Sequence, residues 1–127
     1  MEGGQPIRVL VVDDHRMFCE ALTTVLDRDG RFEVVGTAAT GREAVRLAKT
    51  AEAEVVLMDM SMPVLDGPAA TRRLVALAHA PYVIALSAHT DNLSRAAALE
   101  AGASAYVTKS EALDDLVDTI LATCGRG

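Results

Sequence analysis

The stretch Ile7-Arg8-Val9-Leu10-Val11-Val12-Asp13-Asp14-His15 decides the fold. Its apolar residues run on almost without alternation, and two acids and a histidine follow at once. A half-exposed strand alternates apolar and polar residues, whereas one buried on both faces reads as a near-continuous run of Val, Ile and Leu. This segment therefore reads as a buried parallel strand whose C-terminal end opens onto a polar edge.

Working outward, residues 32–38, 55–58, 82–86 and 105–107 are four more short apolar runs at fairly even spacing. Helical periodicity lies between them. Phe18, Ala21, Leu22, Val25 and Leu26 follow an i, i+3, i+4, i+7, i+8 pattern, and Leu113, Leu116, Val117, Ile120 and Leu121 repeat it. Thr40 with Glu43 three residues on is a capping box that opens a second helix. Gly67 and Pro68 suit the entry of a third. Asp91 is expected to cap a fourth, which runs to a stop near Gly102. Five strands alternating with five helices predict an α/β fold: a doubly wound, three-layer sandwich with right-handed crossovers. In such sheets the ligand site lies outside the C-terminal strand ends, where strand order reverses.

Bulk composition narrows the function. The chain has 127 residues, 12 basic against 18 acidic, for a formal charge of −6. That length fits one domain with a real core. Half of it is apolar, which excludes a disordered, low-hydrophobicity chain. The longest apolar runs, such as residues 82–86, are five residues, far below the roughly 20 of a membrane span. Two Tyr, two Phe and no Trp on an acidic chain argue against a nucleic-acid-binding surface. Cys19 and Cys124 have no C-x-x-C spacing, so neither a disulfide framework nor a zinc site is expected, and a reducing cytoplasm fits. Residues 1–6 read as a lead-in, 7–123 as the domain and 124–127 as the start of a linker.

The strand ends carry the chemistry. The first ends in Asp13-Asp14, the third in Asp59 and the fourth in Ser87, while the fifth runs through Tyr106 to Lys109. Three carboxylates on one sheet edge repel one another unless a cation neutralises them. Oxygen ligands with open positions suit Mg²⁺, and no histidine or cysteine is expected there to favour zinc. A lysine and a hydroxyl facing a metal-bound carboxylate suit the oxygens of a phosphoryl group.

Four separated motifs now stand in order: Val11-Val12-Asp13-Asp14-His15; Met58-Asp59-Met60-Ser61-Met62-Pro63 with Asp66-Gly67; Leu86-Ser87-Ala88; and Gly102-Ala103 with Tyr106-Val107-Thr108-Lys109. Together they resemble a response-regulator receiver domain of a two-component system, of the NarL/FixJ (LuxR-type) subfamily, from Ile7 to about Ala122. The resemblance implies a flavodoxin-like (βα)5 fold with parallel strand order 2-1-3-4-5. It implies that Asp59 takes a phosphoryl group from the phosphohistidine of a sensor histidine kinase, and that the chain is not a turnover enzyme. Mg²⁺ would be held by Asp13, Asp14, Asp59 and the Ser61 backbone carbonyl. Ser87 and Lys109 would grip phosphoryl oxygens, Ser87 and Tyr106 would form a switch, and Ser61 and His89 would tune the lifetime of the acyl phosphate. It further implies a cytoplasmic protein for which a homodimer on phosphorylation is one option; relatives of this subfamily usually reach DNA through a C-terminal helix-turn-helix, so this chain is either a stand-alone receiver or one part of such a regulator. The family usually has a proline after the lysine; Ser110 stands here.

Each residue has a plainer reading too. Asp14 suits a cap of the first helix, and Ser87 a turn hydroxyl. Asp59 alone could be an ordinary strand-end carboxylate, and Tyr106 a packing aromatic. His15 reads as solvated in the first helical turn, His79 as surface, and Asp66 as a turn residue. Lys109 just ahead of a helix opposes the helix dipole, which favours a functional partner for it. Two other functions compete with the phosphoacceptor: a degenerate receiver acting as a binding module, and an Mg²⁺-dependent phosphohydrolase. The second is disfavoured because haloacid-dehalogenase-type enzymes need an acid two residues after the nucleophile, where this chain has Ser61.

Overall fold

The computed structural model describes residues 5–60, 67–88 and 92–125. Its elements alternate strictly: β1 (Ile7–Val12), α1 (Arg16–Asp27), β2 (Phe32–Ala38), α2 (Gly41–Thr50), β3 (Val55–Asp59), α3 (Gly67–Val75), β4 (Tyr82–Ser87), α4 (Asn92–Ala101), β5 (Ala105–Thr108) and α5 (Lys109–Thr123). The strands form one sheet in the order β2-β1-β3-β4-β5, every pair parallel. This is the flavodoxin-like order that the resemblance implied.

Alternation along the strands divides the core into two layers. Val9, Val11, Leu57, Ile84, Leu86 and Val107 meet Leu22, Leu26, Leu116 and Ile120 of α1 and α5. Leu10, Val12, Val56, Met58, Val83 and Ala85 meet α2, α3 and α4. On that second face the helices present small residues, Ala44, Ala48, Ala70 and Ala98, all but closed to solvent. Alanine there suits both a helix interior and a close approach to the sheet.

The helix boundaries follow local chemistry. The Thr40 side chain accepts from the Glu43 amide at 3.2 Å, while Glu43 Oε1 accepts from the Ala39 amide, so the predicted capping pair forms, shifted by one residue on its return bond. Beyond α4, Gly102 adopts φ +116°, and its amide donates to the Leu99 carbonyl. A side chain there would be strained, which is why the helix stops at glycine. Asp91, the expected cap of α4, lies outside the described residues, as do Ser61, Met62, Asp66 and His89.

Arg8 is the polar residue within β1. Its Nη2 donates to the Ala51 carbonyl at 2.6 Å and its Nε to the same oxygen at 3.1 Å, so a guanidinium caps the C-terminal end of α2. Cation and helix dipole are complementary there. Glu52, directly after that cap, takes φ 53°, a conformation unusual for a residue with a side chain. Arg8→Met keeps the stem and removes the charge. It is expected to lower unfolding stability by about 1–2 kcal/mol, read as a lower urea midpoint at unchanged slope.

Candidate functional site

Asp13 and Asp59 owe their proximity to sheet register. Val12 pairs with Met58 across β1 and β3, so each acid is the next residue on neighbouring central strands. Both are almost fully buried, at 3% and 1% exposure, whereas Asp14 projects into solvent. Buried carboxylates need a compensating charge. Lys109 supplies it, with Nζ 2.6 Å from Asp13 Oδ2 and 3.6 Å from Asp59 Oδ2.

Four sequence expectations need correction here. Lys109 is not ahead of α5 but is its first residue, with Thr108 as the extended N-cap. Its charge faces the unfavourable end of the helix dipole, and the paired acids outweigh that small penalty. Asp14 does not cap α1, because the N-cap position falls on His15. The chain turns there around Asp13, whose Oδ1 accepts from the His15 amide at 2.8 Å. His15 is therefore not in the first helical turn, although it is exposed as expected. Nor is it apart from the acids. Its Nδ1 lies 3.1 Å from Asp13 Oδ1, 3.4 Å from Asp14 Oδ1 and 3.4 Å from Lys109 Nζ. One ligand atom each from Asp13, Asp14, His15 and Asp59 falls within a 4.8 Å cluster. The signal for His15 was its place beside the acid pair; only the turn geometry reveals where its ring goes.

That donor set fits a hard divalent cation. Three carboxylates can neutralise and ligate Mg²⁺ while leaving positions for water or phosphate oxygens, and one imidazole is too few nitrogen ligands for a closed zinc site. From Asp13 and Asp14 a groove of about 850 Å³ runs between α1 and the β2–α2 turn, lined among others by Arg16, Glu20, Thr37 and Glu43.

The remaining strand-end residues fall where expected. Ser87 is buried at the end of β4 and pairs in register with Thr108, while Tyr106 pairs with Ala85. Tyr106 is half-buried against the α2–α4 layer of the core. The peptide between Lys109 and Ser110 is trans. Cys19 Sγ donates to the Asp13 carbonyl at 3.3 Å, and burial, then the Asp13 charge, push its thiol up to about 11. Such a thiol is not a nucleophile at neutral pH.

Gly67 fixes the other wall. A Cβ there would stand 2.5 Å from both the Asp59 carbonyl oxygen and Met60 Cα, so α3 starts in backbone contact with the end of β3. Backbone cannot yield as a flexible side chain can. Gly67→Ala is expected to destabilise the fold by about 2–3 kcal/mol and to displace Asp59, seen together as a lower thermal midpoint and weaker Mg²⁺ binding.

The family model for the response regulator receiver domain matches residues 9–121. The chain belongs to that family. The receiver domain is 38% identical over 114 residues to the response regulator UvrY of Escherichia coli, a match covering 90% of this chain and 52% of UvrY. It is 36% identical to the transcriptional regulatory protein LiaR of Bacillus subtilis, across 91% of this chain and 55% of LiaR. It thus spans about half the length of the curated relatives it matches. Among solved structures, the signal receiver domain of NarL from Mycobacterium tuberculosis superposes with a TM-score of 0.90 at 31% identity, covering 98% of this chain and 99% of that one. A LuxR-family two-component response regulator from Aurantimonas superposes at 0.87 with 34% identity, covering 95% and 87%. These relatives make the receiver domain one of the NarL/FixJ type. Among the described residues, no helix is long and apolar enough to cross a membrane.

Proposed function

We propose that this receiver domain is a phosphorylation-controlled switch of a cytoplasmic two-component pathway, with Asp59 as phosphoacceptor. The observation that carries the reading is the buried Asp59 carboxylate, with the Lys109 ammonium 3.6 Å away and shared with Asp13. An Asp59 oxygen attacks the phosphorus of a sensor kinase phosphohistidine whose other ring nitrogen is protonated; a P–O bond forms, the P–N bond breaks with its electron pair going to nitrogen, and neutral imidazole leaves. Asp13, Asp14, Asp59 and the Ser61 carbonyl would hold Mg²⁺, which when bound supplies positive charge against the phosphoryl oxygens. Lys109 leaves Asp13 to pair with one such oxygen and Ser87 donates to another. Little else is required, because phosphoryl transfer is chiefly a matter of positioning and charge.

The acyl phosphate brings added negative charge and acceptor oxygens to a site beside two residues on one sheet face. Ser87 is drawn toward it and Tyr106 follows into the space released, which favours an active arrangement of α4, β5 and α5. Ser61 and His89 would set how long that state lasts by controlling the approach of hydrolytic water. Self-catalysed dephosphorylation returns the domain to rest, so it is not a turnover enzyme. Transcriptional output through a C-terminal helix-turn-helix is supported by the half-length match to UvrY and LiaR and by the LuxR-family neighbour, and the phosphorylated form would act as a dimer.

Incubation with Mg²⁺ and acetyl phosphate tests the reading. The expected result is a single phosphoryl adduct that peptide mass spectrometry assigns to Asp59. Rapid turnover of many phosphate esters would instead identify a phosphohydrolase, and no adduct from any donor would identify a binding module.

A further inference from the structure

The Lys109 ammonium is held on a third side by neither an acid nor the imidazole. It lies 4.9 Å from the centroid of the Phe18 ring, within the range where a cation is attracted to an aromatic face. Phe18 is part-buried against the α1–α5 layer of the core, so its ring is braced from behind by packing. The Lys109 side chain is 14% exposed, and this desolvation strengthens such a contact. We propose that Phe18 is a positioning residue for the phosphoryl transfer reaction: its ring holds the Lys109 ammonium at the mouth of the acid pair and sets where the lysine waits before it meets the phosphoryl group.

The contact acts on the lysine and never on the phosphoryl group itself. A lysine stem has four rotatable bonds, and holding its end costs rotamer freedom. Asp13, Asp59 and His15 hold the ammonium at the strand ends, at 2.6, 3.6 and 3.4 Å. The Phe18 ring adds a restraint from the body of α1, on the side away from the acids' strands, so that these contacts together define a direction. When the ammonium turns toward a phosphoryl oxygen it pivots across the ring face rather than out into water. Because Phe18 is on α1 and Lys109 opens α5, the same contact ties these helices to the charge state of the site.

This inference rests on Asp59 being the phosphoacceptor, and the experiment separates the two. Phe18→Leu keeps an apolar side chain and removes the aromatic face, whereas Phe18→Tyr keeps both. Two readouts apply: the rate of Asp59 labelling by acetyl phosphate with Mg²⁺, and the upfield ring-current shift of the Lys109 ε-methylene protons by NMR without any phosphoryl donor. Phe18→Leu is expected to abolish the ring shift and slow labelling roughly three- to tenfold, and Phe18→Tyr to restore both. Wild-type labelling in Phe18→Leu, or equal losses in Leu and Tyr with both folded, would overturn the proposal. A wild-type chain that takes no phosphoryl group overturns the phosphoacceptor reading instead; the ring shift alone then decides whether Phe18 holds the lysine.

Discussion

Asp59→Asn is expected to abolish phosphoryl uptake and, at the same time, to make the metal-free domain more stable. The first effect follows from the acceptor role proposed for Asp59, since an amide cannot form the acyl phosphate. The second follows from charge crowding. Ligand atoms of Asp13, Asp14 and Asp59 lie within 4.8 Å of one another, so at an effective dielectric constant of about 20 each repulsion is at least about 3.5 kcal/mol. The Asp59 carboxylate takes part in two of them. Against this stands, among the described residues, the attraction to Lys109 at 3.6 Å, about 4.6 kcal/mol on the same scale. Asparagine removes all three, and solvent screening of the exposed Asp14 trims the difference to a net gain of about 1–2 kcal/mol. The measurement is a pair of thermal melts without and with Mg²⁺. The variant should melt several degrees higher than wild type without the ion and gain less from it. A lower midpoint in both conditions would show that Asp59 stabilises the resting fold, contrary to the charge argument.

Lys109→Ala should fail in the opposite sense. Two carboxylates at 3% and 1% exposure would then lack their ammonium, and breaking a buried pair from one side costs about 3 kcal/mol. For a domain of this size that is a fall of about 10 °C in thermal midpoint, most of it recovered by Mg²⁺, which replaces the missing positive charge. Labelling should not recover with stability. With the ion saturating, the rate is expected to remain about a hundredfold down, the usual cost of losing one charge aimed at a transition state. Lys109→Arg would not restore it, because a planar guanidinium cannot occupy the point that an ammonium shares between Asp13 and the Phe18 ring. Restored labelling with Mg²⁺ alone would show that Lys109 serves only to hold the acids together.

The two variants also show what the sequence makes legible. The strands could be read because parallel strands buried on both faces leave unbroken runs of Val, Ile and Leu, and the end of each run marked a functional edge. Asp13, Asp59, Ser87 and Lys109 all sit at such ends, so sheet topology alone gathers them. What stayed hidden depends on side-chain direction across long separations. Phe18 reads as a core residue from its spacing, which says nothing of an ammonium lying on its ring from the far end of the chain. His15 reads as a solvated residue because its neighbours in sequence do not reveal that the turn around Asp13 brings the imidazole back over the acids. Arg8 interrupts an apolar strand, and its reason is the end of α2, which only the folded crossover brings near. Lys109 was displaced by one position because Thr108 serves at once as the last strand residue and the helix cap.

The late arrival of Lys109 has a consequence for how the protein is made. A ribosome delivers β1 and β3, with their acids, well before the first residue of α5. Until that residue emerges, the growing chain carries the negative cluster without its counter-charge. N-terminal segments begin to organise first during synthesis, yet here the acid cluster depends on a cation from solution until Lys109 arrives. An incomplete chain thus lacks the ammonium of its acid cluster until the final helix has docked.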